Sequence, residues 1–229
     1  MALILSIETA TPICSVALHN DGSLIDFSEV MLENTHGEMI MGMVDKIIEA
    51  SKYKKSDLKG IAVSAGPGSY TGLRIGVSVA KGLCFGLGIP LVGISTIKAL
   101  AFQALQYVED NGVIIPLMDA RRMEVYTASF DSEMNLIDSL RPLVVEQNVF
   151  LDKLEKGKVV FVGDGVEKLR HLLDHPNAKF PGILNSARGV GALAFRAYKK
   201  SQFEDLAYFE PNYLKEFKVI KSKKNLLLQ

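Results

Sequence analysis

Two spacings of apolar residues alternate along the chain, and together they predict a mixed α/β protein. Residues 3–9 form a short apolar run that ends next to an acid, which is typical of a buried strand. The next segment, residues 14–30, predicts two strands joined by a turn at residues 20–22, because its Asp-Gly pair permits the positive φ angles of a tight hairpin. We therefore predict that three antiparallel strands open the chain.

A helical spacing follows the three strands. Thr35 and Glu38 have the spacing of a capping box, and the apolar residues behind them recur every three or four positions. Further along, apolar runs alternate with amphipathic segments. They predict a strand at 60–66, a helix over 72–86, a strand at 89–95 and a helix over 97–108.

The same order of elements then restarts. Residues 112–140 again contain an apolar run that ends in an acid, followed by a hairpin, so that Glu8 and Asp119 stand at matching points of the two halves. The repeated βββαβα units predict two lobes, residues 1–109 and 110–229, with mixed sheets and helical crossovers. This is the two-lobe α/β architecture of the actin, Hsp70 and sugar-kinase class, with a ribonuclease H-like fold. The later elements are a helix over 147–155, a strand at 158–165 and helices over 166–173 and 186–200.

The composition is that of a globular protein whose main role is not to grip nucleic acid. Apolar residues make up 48% of the chain, and 26 basic side chains balance 26 acidic ones, whereas nucleic-acid binding usually needs a basic face. Cys14 and Cys84 belong to no Cys/His cluster, so we expect buried thiols in a reducing cytosol. The first residues lack a basic signal-peptide region, and the uncharged run at 82–97 is too short for a membrane helix. We expect a soluble, cytoplasmic protein.

Acidic side chains stand at the predicted strand ends. Glu8, Asp119 and Asp164 suit a Mg²⁺ site with a bound water, as in the two-lobe ATPases, or a nuclease carboxylate cluster; equally, strand-end acids cap turns. The loop after the first strand has no glycine and the later one has only two, so a phosphate cradle has little sequence support. The candidate nucleotide-binding residues are Glu8, Thr9, Thr11, Asp119, Gly163, Asp164 and Gly165.

No arrangement of residues in the sequence predicts a catalytic nucleophile or a metal centre. His171 and His175 have the i, i+4 spacing of metal ligands, but Pro176 follows directly and indicates a solvated helix end. The sequence has no HExxH and no GxSxG motif, and Ser69 has no His or Lys near it in the sequence to activate it. We therefore predict neither a catalytic residue nor a metal on this chain.

The two long helices of the first half have wider apolar arcs than one core contact needs. Apolar side chains cover nearly half of the circumference over residues 39–48, and they nearly surround the helix over residues 72–87. Gly72, Gly76 and Ala80 add a flat strip that permits another helix to approach closely. Two interpretations stay open: helices internal to a large core, or helices that also form a subunit interface.

Several segments resemble one protein family. They are ILSIETATPICSVAL, GPGSYTGLRIGVSVAKGL, GIPLVGIST, PLMDARRMEVY and the late PNYLKE, and they span nearly the whole chain. The sequence is similar to the TsaB (YeaZ) family, whose members assist the synthesis of threonylcarbamoyladenosine on bacterial tRNA. The resemblance implies a fold like that of the related catalytic subunit TsaD, which transfers a threonylcarbamoyl group to N6 of the adenosine beside the anticodon. It also implies that the chain works with TsaD and the ATPase TsaE, while TsaC makes the activated donor.

Departures from TsaD imply a subunit that binds and activates TsaD but has no chemistry of its own. Thr96 and Leu100 stand where TsaD has two metal-binding histidines, and the glycine-rich adenosine motif is reduced to residues 163–165. We therefore expect ATP and metal on TsaD and TsaE, and no cofactor on this chain. One alternative is a nucleotide hydrolase or phosphotransferase that uses the strand-end acids. Another is a metallopeptidase, an old label for relatives of this fold, against which the missing ligands argue.

The resemblance also implies partners. The helices that follow His36 and Thr71 are expected to pack against the same helices of TsaD in a heterodimer, or of a second copy in a homodimer. Contact with tRNA would be indirect, unless the lysines after residue 214 reach it. Those lysines are Lys215, Lys218, Lys221, Lys223 and Lys224. The implied interface residues are His36, Met39, Ile40, Met43, Ile47, Tyr70, Leu73, Arg74, Val77 and Lys81.

Overall fold

A computed structural model describes residues 1–31 and 36–214. Within these ranges the chain forms two five-stranded sheets with helices on their faces. The strands are β1 (Leu3–Glu8), β2 (Ile13–Asn20), β3 (Ser23–Met31), β4 (Gly60–Ser64), β5 (Leu91–Ile94), β6 (Val113–Asp119), β7 (Glu124–Asp131), β8 (Leu136–Val144), β9 (Val159–Val162) and β10 (Ala178–Lys179). The α-helices are α1 (His36–Ala50), α2 (Tyr70–Leu87), α3 (Thr96–Gln103), α4 (Leu151–Leu154), α5 (Val166–Leu169) and α6 (Ala187–Lys199).

The two sheets have the same topology. The first has the strand order β3-β2-β1-β4-β5 and the second the order β10-β9-β6-β7-β8, which is the same arrangement written from the other edge. In each half the first three strands are antiparallel, and the later two run parallel to the first. The duplicated two-lobe fold predicted from the sequence is confirmed. The hairpin turn is also confirmed, since Asp21 and Gly22 have φ angles of 48° and 84°.

The central strand β1 is apolar on both of its faces because both faces are covered. Leu3 and Leu5 point into a core shared with α1 and α2, whereas Ile4 points into a core shared with α6. The last helix of the second half therefore packs on the sheet of the first half. The boundary predicted between residues 109 and 110 stays a prediction.

The second sheet is also covered on both faces. Ile115 and Phe161 lie in a core with α4 and α5, and α3 covers the opposite face through Ile97 and Leu100. Thus α3 from the first half packs on the second sheet, in contact with α6.

Three predicted helices are shorter than the sequence indicates. The helix expected over 147–155 covers only Leu151–Leu154, because Asn148 has a φ of 66° that no α-helix accommodates. The other two end in 3₁₀ turns, at Leu105–Tyr107 and Arg170–Leu172. Strand β10 is missing from the sequence-based prediction because two residues are too short for a detectable pattern.

After α6 the chain returns across the first lobe. The Glu204 amide donates to the Leu91 carbonyl (2.9 Å), and the Asn212 amide donates to the Ala65 carbonyl (2.7 Å). We call residues 203–214 the strap. The Thr35 part of the predicted capping box and the lysines after residue 214 lie outside the described residues. None of the helices in the described ranges is long and apolar enough to cross a membrane.

Candidate functional site

Glu8 lies at the end of β1 and is fully buried. Its Oε1 accepts a hydrogen bond from the Ala10 amide at 2.6 Å. Burial is the largest influence on this carboxyl and raises its pKa to about 7; the amides of Ala10 and Thr9 and the Ser64 hydroxyl favour the charged form, and the negative charge of Asp164 opposes it. Glu8 is thus an enclosed acid that titrates near neutral pH.

Thr9 and Thr11, which follow Glu8, are both buried and contact the helices α2 and α1. The Thr9 hydroxyl donates to the Gly72 carbonyl of α2 at 2.8 Å. The Thr11 carbonyl accepts from Nε2 of His36, the first residue of α1, at 2.9 Å. The two threonines predicted to bind nucleotide therefore hold helices of the same lobe.

The glycine strip predicted to receive another helix has a different neighbour. A Cβ at Gly72 would collide with the Thr9 carbonyl oxygen, and a Cβ at Gly76 would collide with the Thr9 hydroxyl. Ala80, the third member of the strip, is fully buried in the protomer's own core. These small residues allow α2 to pack tightly on the end of β1. Packing within the lobe therefore explains why they are small, and no subunit interface is needed to explain it.

The two acids of the second half both take part in polar contacts, and one of them, Asp119, pairs with a lysine. Oδ1 of Asp164 accepts from the Asp119 amide at 2.9 Å, and burial raises the pKa of Asp164. The Asp119 carboxylate forms an ion pair with Lys168, whose ammonium also donates to the carbonyls of Arg122 (2.7 Å) and Glu124 (2.9 Å). Oδ1 of Asp119 also accepts from the Arg121 amide two residues further on (2.7 Å), which matches the turn-capping alternative of the sequence analysis for this acid.

The two glycines among the candidate nucleotide-binding residues, Gly163 and Gly165, have no free amide for a phosphate. The Gly163 amide donates to the Ile183 carbonyl, and the Gly165 amide donates to the Leu117 carbonyl, both at 2.9 Å. A Cβ on either glycine would also lie too close to the Leu117 carbonyl oxygen. Within the described residues, no group of three His, Cys, Asp or Glu side chains is placed to hold a metal ion.

One cavity in the described part of the chain lies away from all of these residues. It has a volume of about 770 Å³ and is lined by the ends of α3 and β3 and the start of α6. Phe102, Tyr107 and Arg188 are among its walls, and none of the seven candidate nucleotide-binding residues is.

The predicted interface residues divide into two groups. Six of them are buried in the protomer itself: His36, Ile40, Met43, Ile47, Leu73 and Val77. Met39, Tyr70 and Lys81 are half-buried, and Arg74 is exposed. The structure therefore places most of the predicted apolar interface inside the lobe, where the sheet covers it.

The strap engages one side of α2. The Tyr213 and Tyr70 rings lie 4.7 Å apart, and the Arg74 guanidinium stacks 4.3 Å from the Tyr70 ring. Two turns further, the Lys81 ammonium donates to the carbonyls of Ala207 (3.1 Å) and Phe209 (3.2 Å). These side chains of α2 thus have partners within the chain.

A separate side of α2 stays open. Its helical spacing places Ile75, Val79, Gly82, Phe85 and Gly86 on one side, and the Phe85 side chain is 84% exposed. Ile75 and Val79 are half-buried, and a Cβ at Gly82 or Gly86 would meet nothing within 4 Å. On α1, Met41 is also exposed. We call Met41, Ile75, Val79, Gly82, Phe85 and Gly86 the open helix face.

Comparison with known proteins agrees with this structure. The sequence model of the family "TsaD: tRNA N6-adenosine threonylcarbamoyltransferase" matches residues 31–228. The TsaB protein of Escherichia coli is 35% identical over 168 residues, which is 71% of this chain and 71% of that protein. The chain belongs to the TsaB family. The Bacillus subtilis TsaB is 33% identical over 177 residues, 75% of each chain.

Solved structures show the same relationship. YeaZ from Pseudomonas aeruginosa superimposes with a TM-score of 0.79 at 26% identity, covering 93% of this chain and all of that one. An activator of 2-hydroxyisocaproyl-CoA dehydratase from Clostridium difficile, solved with bound ADPNP, matches at a TM-score of 0.51 and 12% identity, over 88% and 96% of the two chains. The latter likeness shows the two-lobe fold alone. The chain is thus a TsaB-family protein of tRNA threonylcarbamoyladenosine biosynthesis.

Sequence reasoning did not separate the open helix face from the buried faces of α1 and α2. One signal was present: Gly82 and Gly86 stand four residues apart, like Gly72 and Gly76. Periodicity alone does not show which of the two pairs faces the protomer's own sheet.

Proposed function

We propose that the chain is a non-catalytic subunit that binds TsaD through the open helix face and activates threonylcarbamoyl transfer to N6 of the adenosine beside the anticodon. The observation that carries this proposal is the exposure of apolar side chains and uncovered glycines on the two longest helices. Phe85 and Met41 remain accessible, while the other large apolar side chains of α1 and α2 are buried or half-buried. Large apolar groups that stay exposed together mark surfaces for protein partners.

The glycines strengthen this proposal because each lowers the stability of a helix by about 1 kcal/mol relative to alanine. Gly72 and Gly76 are explained by the close approach of Thr9. Gly82 and Gly86 have no such neighbour, so nothing within the described protomer requires them. A partner whose backbone comes close to α2 supplies the missing reason.

The residues that replace the TsaD metal ligands support a subunit without transferase chemistry. Thr96 is buried, and its Oγ1 accepts from the Gly66 amide at 3.1 Å, which holds the turn before α2. Leu100 is fully buried in the core between α3 and the second sheet. Both positions are thus committed to packing, and neither offers a metal ligand.

The binding test uses light scattering after size-exclusion chromatography of the chain with TsaD. We expect a complex with the wild type, and its loss with Val79→Glu and with Phe85→Glu, because burying an unpaired charge in an interface costs several kcal/mol. Ile137→Glu on β8 is the matched control, since Ile137 is also an exposed apolar residue (49%) but lies on the other lobe. A complex that survives both glutamates, or that the control also abolishes, contradicts the proposed surface.

Activation is tested separately, with TsaD, TsaE, TsaC, ATP, threonine, bicarbonate and unmodified tRNA. We expect modified adenosine only when this chain is present, and much less with Phe85→Glu.

TsaE is the second proposed partner, and a homodimer through the same face would compete with TsaD. The proposed setting is the cytoplasm, and contact with tRNA is indirect.

The nucleotide-hydrolase alternative gains no support from the amides of Gly163 and Gly165, because both already donate to carbonyls of the chain. This alternative would regain support if the chain alone turned over ATP and Glu8→Gln abolished that turnover.

A further inference from the structure

The turn at residues 9–11 contacts the N-terminal ends of both helices that carry the open helix face. The Thr9 hydroxyl donates to the Gly72 carbonyl in the first turn of α2 (2.8 Å). The Ala10 carbonyl accepts from the amide of Ser69, the N-cap of α2 (2.7 Å). Three consecutive residues thus bind two helices, since Thr11 binds α1.

The link to α1 has a defined chemistry. Nε2 of His36 lies 2.9 Å from the Thr11 carbonyl oxygen. A carbonyl only accepts hydrogen bonds, so Nε2 carries the proton and donates it. His36 is buried, which makes this bond inaccessible to competing water.

The contacts are close enough to transmit small shifts. A Cβ at Gly68 would lie 2.5 Å from the Ala10 Cβ, and one at Gly76 would collide with the Thr9 hydroxyl. Atoms packed this closely cannot move by several tenths of an ångström unless the residues around them also move. At this end, a Cβ at Gly37 of α1 would meet only Ile75 of α2 within 4 Å (3.9 Å), so the turn supplies the tighter link between the helices.

We propose that Thr9 and His36 are positioning residues for partner binding: through the 9–11 turn they hold α1 and α2 in the relative placement that the open helix face requires. This inference rests on the proposed function. According to this proposal, neither Thr9 nor His36 contacts the partner. The loop that contains the candidate nucleotide-binding residues Thr9 and Thr11 thus sets the geometry of a protein-binding surface.

The first test measures backbone hydrogen exchange of the free chain. We expect Thr9→Val to speed exchange in the first turns of α2, and His36→Phe to speed exchange in the first turns of α1. His36→Gln is expected to restore slow exchange, because the glutamine amide is a donor that can reach the Thr11 carbonyl. Thr127→Val is the matched control: Thr127 is also buried, but its hydroxyl makes only a 3.4 Å bond to the Ala128 carbonyl in the second lobe.

The second test measures the affinity of the same variants for TsaD by calorimetry. Loss of one buried hydrogen bond predicts about fivefold to tenfold weaker binding for Thr9→Val and His36→Phe, with recovery in His36→Gln. Unchanged exchange in both variants overturns the inference, and so does faster exchange with unchanged affinity. Weakened affinity without faster exchange also overturns it, because that result means direct contact with the partner.

The two proposals fail in different ways. If the wild type does not bind TsaD at all, the proposed function fails. Exchange in the free chain would still show whether the turn holds the helices, and its result does not depend on any partner.

Discussion

At the scale of single residues, the buried acid Glu8 makes stability depend on pH. Its pKa is about 7 in the folded chain against 4.5 for the exposed group, so the folded state holds a proton that the unfolded state releases. Stability is therefore lost as the pH rises from 4.5 through 7. We predict that Glu8→Gln is more stable than the wild type at pH 8, by up to about 3 kcal/mol, and equally stable near pH 4.5.

Urea unfolding at a series of pH values measures this difference. His19 affects the opposite end of the range: burial lowers its pKa to about 4, so stability falls as the pH drops below 6.5. Because both proteins keep His19, its contribution cancels when their unfolding free energies are subtracted. A difference between the two proteins that does not change with pH would refute the assignment of Glu8 as an enclosed acid.

At this scale the sequence singles out Glu8, Thr9 and Thr11 as candidate nucleotide-binding residues, and that role stays a prediction. The sequence does not predict the contacts that these residues make with α1 and α2. Strand-end polar residues look alike in sequence whether they face a cleft or the lobe interior. The deciding contacts, such as the one between Thr9 and Gly76, join residues far apart in the chain and leave no local pattern.

At the scale of elements, α2 carries two glycine pairs with opposite roles. We predict that Gly82→Ala stabilises the free chain by about 0.5–1 kcal/mol, since the added methyl group meets open space and alanine favours helix. The same change should weaken TsaD binding, by fivefold or more. Unfolding curves and calorimetry measure the two effects on one variant.

Gly76→Ala is the matched comparison within the same helix. Its methyl group would collide with the Thr9 hydroxyl, so we expect destabilisation by about 1–3 kcal/mol. If Gly82→Ala leaves affinity for TsaD unaltered, the space above α2 is not used by that partner.

Element types and order were predictable because β1 and β4 are short uninterrupted apolar runs, and because α1 has a strong helical spacing of apolar residues. The ends of the shorter helices were not predictable from these patterns. The helix expected over 147–155 shows why: its apolar spacing continues through Asn148, whose backbone turns left-handed. Such a turn depends on the surrounding packing more than on the local sequence.

At the scale of the whole molecule, the lobes exchange helices. Val190 and Ala194 of α6 cover Ile4 and Val92 of the first sheet. We predict that a fragment of residues 1–109 does not reach a well-packed state alone, and that adding residues 110–229 as a separate chain restores it. Dispersion of amide resonances in a ¹H–¹⁵N spectrum reports the result. A well-dispersed spectrum from residues 1–109 alone would show that α6 is dispensable there.

That exchange of helices also sets an order of events at the ribosome. The first sheet is complete once β5 has been made, but its second apolar face waits for α6, about a hundred residues later. At 5–20 residues per second, this interval is roughly 5 to 20 s. During that time the nascent lobe exposes an apolar surface that is later covered by α6, and a co-translational chaperone can bind such a surface.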